Sequence, residues 1–283
     1  MRQANKFGLW RNFVAIIACW PLLAEAQNPD RIEFGILPTL SARTILNTYQ
    51  PLREYLEARL KKPVLFITAP DYRTFIERTQ RGDYRYVITA SHFARLAQKE
   101  AGYRPLVRVK RELQGLLVTD KSTGVSGIAG LRGKVITTPD SLAIISMLAA
   151  EQLRNNGLVP GRDVTMRAQA SFNSAVIAMR NGESAAAITA ATALNQMPAD
   201  IRDSLITLGT TKSVPHVVSL ANGRVPAEEA ATMQRLLTEF GQQPAGKEFF
   251  HATGFIDFVR VNDEELRMLD VYVADLKKQL GAP

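Results

Sequence analysis

The chain has 283 residues, a formal net charge of +8 and one cysteine. Its basic residues are dispersed along the chain, whereas nucleic-acid binding requires a concentrated basic face with interleaved aromatic side chains, so we expect no nucleic-acid partner. A single cysteine excludes an intramolecular disulfide. The length is sufficient for two domains of ordinary size, each resting on its own hydrophobic core.

The first 26 residues have the pattern of a secretory signal peptide. Three basic residues precede an apolar run over residues 13–24, and Ala24-Glu25-Ala26 has the small-x-small form of a signal-peptidase site. The run is too short, and too interrupted by Pro21, to span a bilayer permanently. We therefore expect export to the periplasm and a mature chain that begins near Gln27.

Cys19 leaves a second interpretation of the N-terminus open. The segment Ile16-Ile17-Ala18-Cys19 resembles a lipoprotein box, in which the cysteine carries lipid. Cleavage there would leave about six apolar residues after Arg11, fewer than the roughly seven expected of a signal core. The pattern therefore favours a soluble exported product over a lipid-anchored one.

From residue 31 the sequence predicts alternating strands and helices. A strand over residues 32–37 leads into a helix with apolar residues at helical spacing, and Pro51 is expected to kink that helix or begin a new turn. A strand over 64–68 follows, and Asp71 is a natural cap for the next helix. A helix over 91–99 and strands over 105–109 and 113–119 complete this series.

A segment rich in Gly and Ser, residues 121–133, introduces a second series. We predict strands over residues 134–137, 163–167, 205–208 and 216–220, and a helix over residues 141–156. The chain after Pro226 is predicted to be helical. One apolar stripe in that tail should pack against the rest of the protein: Leu266, Leu269, Val273, Leu276 and Leu280.

Two stretches one hundred residues apart, 82–90 and 182–190, follow the same plan. Each begins with a glycine and an acid after a helix-like run, continues as a short apolar strand and ends in Ile-Thr-Ala. A helix, a tight turn and a buried strand form an α/β unit, and its repetition indicates two similar lobes. The predicted fold class is therefore α/β and two-lobed, with a ligand cleft between the lobes.

The order of the elements suggests that one lobe is inserted into the other. In this interpretation residues 1–26 are the signal peptide, 27–118 the first part of lobe 1, 119–213 the inserted lobe 2, and 214–283 the second part of lobe 1. Residues 117–119 and 217–220 would be the two strands that cross between the lobes.

Polar side chains at strand ends and helix starts are the candidate ligand contacts, because ligands of open α/β sheets bind outside the carboxyl ends of the strands, beside helix N-termini. Lobe 1 offers Thr39, Ser41, Asp71, Tyr72, Thr89, Ser91 and His92, and lobe 2 offers Ser141, Ser171, Asn173, Thr189 and Thr192. The alternative role for such residues is helix capping. The two roles are compatible, since a cap on a cleft-facing helix lies beside free backbone donors.

Three motifs resemble the phosphate/phosphite/phosphonate solute-binding proteins of ABC importers: Phe34-Gly35-Ile36-Leu37-Pro38, Tyr49-Gln50-Pro51-Leu52 and Gly127-Ile128-Ala129-Gly130-Leu131-Arg132-Gly133-Lys134-Val135. The resemblance implies a type II periplasmic-binding fold, whose lobes are joined by two strands and close on a small anionic ligand. It also implies a permease in the inner membrane. In that family a Ser/Thr-rich turn holds the oxyanion; here the matching turn, residues 139–143, keeps one hydroxyl, Ser141, beside Asp140.

No enzyme motif was found. His92, His216 and His251 lack metal-ligand spacing, and the sequence contains neither a Gly-x-Ser-x-Gly elbow nor a phosphate loop. We therefore predict no catalytic residue, no metal and no cofactor, and a monomeric solute-binding protein. The alternative left open is a periplasmic ligand-sensing component that reports to a membrane sensor protein.

Overall fold

The computed structural model describes residues 31–195 and 197–281; the predicted signal peptide and Cys19 lie outside them. The strands are β1 Ile32–Ile36, β2 Val64–Ile67, β3 Tyr86–Ala90, β4 Arg104–Val109, β5 Glu112–Leu113, β6 Gly115–Asp120, β7 Val135–Thr138, β8 Thr165–Ala168, β9 Ala186–Ala190, β10 Leu205–Thr210, β11 Val214–Pro215, β12 Val217–Ala221 and β13 Phe258–Arg260. The helices are α1 Ala42–Leu60, α2 Tyr72–Arg81, α3 Ser91–Glu100, α4 Ile144–Asn155, α5 Phe172–Arg180, α6 Ala191–Asn195, α7 Ala199–Ser204, α8 Ala227–Phe240, α9 Pro244–Thr253, α10 Asp263–Arg267 and α11 Asp270–Leu280.

The strands form two sheets with matching plans. The first has the order β13-β4-β12-β3-β1-β2 and the second the order β10-β6-β9-β7-β8. In each sheet three strands run parallel, β2-β1-β3 and β8-β7-β9, and an antiparallel strand, β12 or β6, follows them. Helices accompany both sheets. The predicted two-lobed α/β class is therefore confirmed.

The strands that cross between the lobes differ from those predicted. Residues 117–119 lie in β6, which pairs with β9 and β10 inside the second sheet, and residues 217–220 lie in β12 of the first sheet. The chain crosses instead through β5 and β11, which pair with each other. The predicted boundary after residue 118 thus falls within β6. Both stretches have the apolar pattern of a buried strand, and that pattern does not identify the sheet to which a strand belongs.

The C-terminal tail also differs from its all-helical prediction. Residues 258–260 form β13, an edge strand that pairs with β4. The predicted apolar stripe is confirmed: four of its leucine and valine side chains are buried and Leu280 packs beside them. The helix predicted to start at residue 141 begins at Ile144, after a turn. Pro51 lies inside a continuous α1.

One side of the molecule holds the two lobes together. A buried apolar cluster includes side chains from both lobes and from α11. In α11, the Tyr272 hydroxyl donates to Glu151 of α4, and Lys212 Nζ donates to the same carboxylate at 2.9 Å. Across the lobes, His92 Nε2 lies 2.8 Å from the carbonyl oxygen of Leu142. Within the described ranges, no helix is both long and apolar enough to cross a membrane.

Candidate functional site

A cavity of about 470 Å³ lies between the lobes. Lobe 1 contributes the ends of β1 and β3 together with faces of α1 and α9, and lobe 2 contributes Phe172, Ala190, Thr192 and Ala193. Leu113 of the crossing strand β5 and His216, which follows β11, also line it. The cavity therefore lies where the carboxyl ends of strands from both sheets meet, which is the usual place for a ligand in α/β proteins.

The lining of this cavity is mainly apolar. Four aromatic side chains line it: Tyr49, Phe172, Phe249 and Phe255. Its polar groups are mostly hydroxyls and amides, and its one carboxylate is that of Glu248; no lysine or arginine is found among the described lining residues. The side chains can thus donate and accept neutral hydrogen bonds, but they provide no positive charge.

Thr89 is the most deeply buried polar group on the cavity wall. Its side chain is 1% exposed, and its hydroxyl has no hydrogen-bond partner in the described part of the chain. A buried hydroxyl without a partner costs free energy, so a polar ligand atom that pairs with it is favoured. Thr189 at the matching place in β9 is equally buried and unpaired within the described ranges, but it does not line the cavity.

The predicted site residues do not all converge on the cavity. Thr39, Thr89 and Thr192 line it. Capping occupies three of the others: the side chains of Ser41, Asp71 and Ser171 accept the backbone N–H of Thr44, Thr74 and Ser174, at 3.2, 2.7 and 3.1 Å. Asn173 is an exposed residue in the first turn of α5.

Three further predicted residues, Tyr72, Ser91 and His92, pack between elements. The Tyr72 ring meets Phe93 edge to face at 5.8 Å, and burial, followed by the charge of Asp140, raises the pKa of its hydroxyl. Ser91 is fully buried, and its N–H donates to the His216 carbonyl at 3.0 Å. Burial lowers the pKa of His92 to about 4, although its bond to Leu142 acts in the opposite direction. His92 is therefore a neutral contact between the lobes at neutral pH.

Ser141 lies in a different cavity, of about 360 Å³, beside Arg154 and Lys278. The turn before it is closed by the chain itself, because Asp140 Oδ1 accepts the N–H of Leu142 at 2.8 Å. Leu142 is buried. The turn that the resemblance assigns to an oxyanion thus already holds a carboxylate.

The sequence did not predict that α1 and α9 form part of the cavity wall. On α1, the lining residues Thr44, Asn47, Thr48 and Pro51 are spaced at i, i+3, i+4 and i+7, which places them on one helical face. This small polar stripe is visible in the sequence as a second face beside the buried one. No such signal marks Glu248 or Thr253 on α9. The described residues contain no group of three His, Cys, Asp or Glu side chains that could hold a metal ion.

Two α/β lobes of matching strand order, joined by two short strands and enclosing a cavity at their strand ends, define a solute-binding protein of the periplasmic type. The family model of "ABC transporter, phosphonate, periplasmic substrate-binding protein" matches residues 34–266, and the chain belongs to this family. The family consists of substrate-binding proteins of ABC transporters and is not a class of enzymes.

Solved structures with the same fold agree with this assignment. PhnD1 from Prochlorococcus marinus in complex with methylphosphonate is 12% identical and superposes with a TM-score of 0.76 over 90% of this chain and 100% of that one. XAC2383 from Xanthomonas citri bound to chloride is 15% identical, with a TM-score of 0.75 over 88% and 99%. The binding-protein component of an ABC phosphonate transporter from Pseudomonas aeruginosa is 14% identical, with a TM-score of 0.74 over 89% and 98%.

Proposed function

We propose that this protein is exported, captures a small solute in the cavity between its lobes and delivers it to an ABC importer. The observation that carries the proposal is that both lobes line the cavity at their strand ends. A ligand that touches both lobes favours the arrangement in which they are closed, since binding shifts the population towards the state that binds better. A permease could then distinguish the loaded protein from the empty one by the relative position of the lobes.

The anionic, phosphate- or phosphonate-like ligand that the resemblance implies has its support in the family match. Among the described residues, the lining provides that ligand with hydroxyls and with the N-terminal turn of α1, but with no cationic side chain. The charge of the solute is determined by the ligand panel that follows.

The test is thermal unfolding of the mature protein, stripped of bound ligand, against phosphate, phosphite, phosphonates, sulfonates, carboxylates, amines and neutral organic solutes. A ligand at ~1,000 times its dissociation constant should stabilise the protein by roughly 4 kcal/mol and raise the midpoint by several degrees. Uptake of that ligand by vesicles that contain the partner permease should require the protein. Binding without uptake would favour the sensing alternative, and absence of any ligand, including one that copurifies, would contradict a solute-binding role.

Export is tested separately. The protein should appear in the periplasmic fraction with an N-terminus near Gln27, and Cys19→Ser should leave its release unchanged. A lipid-modified N-terminus at Cys19 would contradict the soluble form.

A further inference from the structure

We infer that the solute held in the cleft is an uncharged organic molecule with a predominantly apolar body, and not a small oxyanion. This inference rests on the proposed solute-binding function and specifies the chemical class of its ligand. Four features of the described residues support it: the charge of the lining, the size of the cavity, the kind of hydrogen-bonding groups on its wall, and the state of the turn before α4.

The lining lacks the counter-charge that a buried anion requires. No lysine or arginine lines the cavity in the described chain, and its one carboxylate, that of Glu248, would repel an anion. Burial, followed by the charge of nearby Arg111, lowers the pKa of His216, but Arg111 Nε donates to the Gly254 carbonyl and its side chain lines another cavity. Moving an unpaired anion from water into such a site is strongly unfavourable.

The size and surface of the cavity fit an organic body. Its volume of about 470 Å³ falls in the range of about 300–1,000 Å³ typical of pockets for organic ligands. Methylphosphonate has a single methyl group and would cover little of the apolar wall. Tyr49 and Phe249 are already buried, but Phe172 and Phe255 are partly exposed, so an apolar or aromatic ligand that covers them is favoured.

The polar groups on the wall suit neutral partners. Thr39, Thr48 and Asn47, which are partly or fully exposed, can donate to, or accept from, a ligand hydroxyl or carbonyl, and Thr89, whose buried hydroxyl is unpaired among the described residues, lies on the deeper wall. Helix N-termini supply the partial positive charges at the wall: the first turn of α1 lines the cavity, Phe172 is the first residue of α5, and Ala190 precedes the short α6. At α1 the Thr44 N–H is already bound by Ser41, and at α5 the Ser174 N–H is bound by Ser171.

The turn before α4, which the resemblance assigns to an oxyanion, has its Leu142 donor already occupied. Its Leu142 N–H, which could face an oxyanion at a helix N-terminus, is bound at 2.8 Å by the carboxylate of Asp140. The neighbouring side chains of Leu142 and Ala143 are buried and apolar. An anion would have to displace a tethered carboxylate and remain beside its charge.

The experiment uses the full mature protein and the uncharged fluorescent probe N-phenyl-naphthylamine. We expect saturable binding with increased fluorescence. Ala193→Phe, which fills the cleft cavity from α6, should weaken it by about tenfold or more, because it removes space that the probe needs. The matched control is Ala150→Phe, which fills the separate cavity beside α4 and should change the probe affinity by less than about twofold.

Three compounds that share a benzyl group and differ in their head group then test how ligand charge affects binding. Benzyl alcohol should displace the probe at a concentration about tenfold or more below that required of benzylphosphonate, because the anion finds no counter-charge, and benzylamine should differ less from the alcohol. Equal or better displacement by benzylphosphonate would overturn the inference.

The failures of the inference and of the proposed function can be told apart. If methylphosphonate or phosphate stabilises the protein and the probe does not bind, the inference is wrong and the solute-binding function stands. If neither the probe nor any member of the ligand panel binds, and no small molecule copurifies, both are wrong.

Discussion

The two repeated units, residues 82–90 and 182–190, have the same backbone and different surroundings. Gly82 and Gly182 both adopt a positive φ, 76° and 82°, at the turn that follows a helix. Each unit continues into a strand, β3 or β9, that lies between a parallel and an antiparallel neighbour. The repetition in the sequence therefore corresponds to a repetition in the fold.

The side chains at equivalent positions make different contacts. Tyr86 of β3 stacks on Phe34 with ring centroids 4.9 Å apart, and its hydroxyl donates to Glu229 at 2.9 Å; Arg85 binds the same carboxylate through two nitrogens. The equivalents in the second unit are Ala185, just before β9, and Ala186; the strand packs against Val176 and Met179 of α5 through the small side chain of Ala187. The same chain path can thus be stabilised by an aromatic and charged network in one lobe and by close packing of small side chains in the other.

The largest expected effect is on the stability of β3. Tyr86→Ala removes a fully buried ring and should lower the free energy of unfolding by about 3–5 kcal/mol. The nearest change available in the second unit, Ala186→Gly, should cost about 0.5–1 kcal/mol, since it removes one methyl and adds backbone freedom. Urea unfolding of the two variants measures both. Equal losses would show that the two units are anchored to the same degree.

A smaller effect is expected from the charged pair of the first unit. Burial alone would raise the pKa of Glu229, but its hydrogen bonds to Arg85 and Tyr86 outweigh burial and lower the pKa below the usual 4.5. The pair is about one-third exposed, so Glu229→Gln should cost about 1 kcal/mol or less at pH 7.

The sign of its pH dependence follows from the lowered pKa. The stabilisation by Glu229 is present above about pH 4.5 and is lost as the pH falls through the lower pKa of the folded state. The difference in unfolding free energy between wild type and Glu229→Gln should therefore shrink below pH 4.5. The control is Glu183→Gln at the exposed start of the second unit; a constant difference for Glu229→Gln down to pH 2 would contradict the lowered pKa.

Thr89 and Thr189 extend the comparison of the two repeated units to ligand binding. Neither hydroxyl has a partner among the described residues, so Thr89→Val and Thr189→Val should each change the free energy of unfolding by less than about 0.5 kcal/mol. Thr89→Val should weaken displacement of the fluorescent probe by benzyl alcohol about three- to tenfold, because Thr89 lines the cavity and its hydroxyl has no partner among the described residues. Equal effects of the two substitutions on displacement would place Thr89 outside the site.

The smallest effect is expected at Ser141. The sequence made Ser141 a candidate ligand contact, but the residue lines the cavity beside Arg154 and not the cleft. We now expect the affinity for cleft ligands to change by less than about twofold. A larger loss of affinity in the same displacement measurement would show that the ligand binds at the turn before α4.

Much of the architecture could be predicted because its signals are local. Helical and strand periodicity, caps and glycine turns each lie within a short window of sequence. Asp71 caps α2 as expected, the glycines of both repeated units lie in turns, and Ser41 and Ser171, candidates for ligand contact or capping, act as caps. Errors arose where pairing decides the outcome. Residues 258–260 form an edge strand because they pair with the otherwise unpaired edge of β4. No local pattern in the sequence predicts that pairing.

The sequence by itself determined the two lobes, their repeated units and the family, since these depend on local periodicity and on motifs that lie together in the chain. The tertiary structure decided which strands cross between the lobes and which threonines line the cavity between them. Thr89, Phe172 and Glu248 line one cavity although they lie far apart in sequence. Thr89 and Thr189 occupy the same place in the repeated motif, but only Thr89 lines that cavity. Strand ends can be read from periodicity, whereas the space between them is set by how two sheets and the helices α1 and α9 pack.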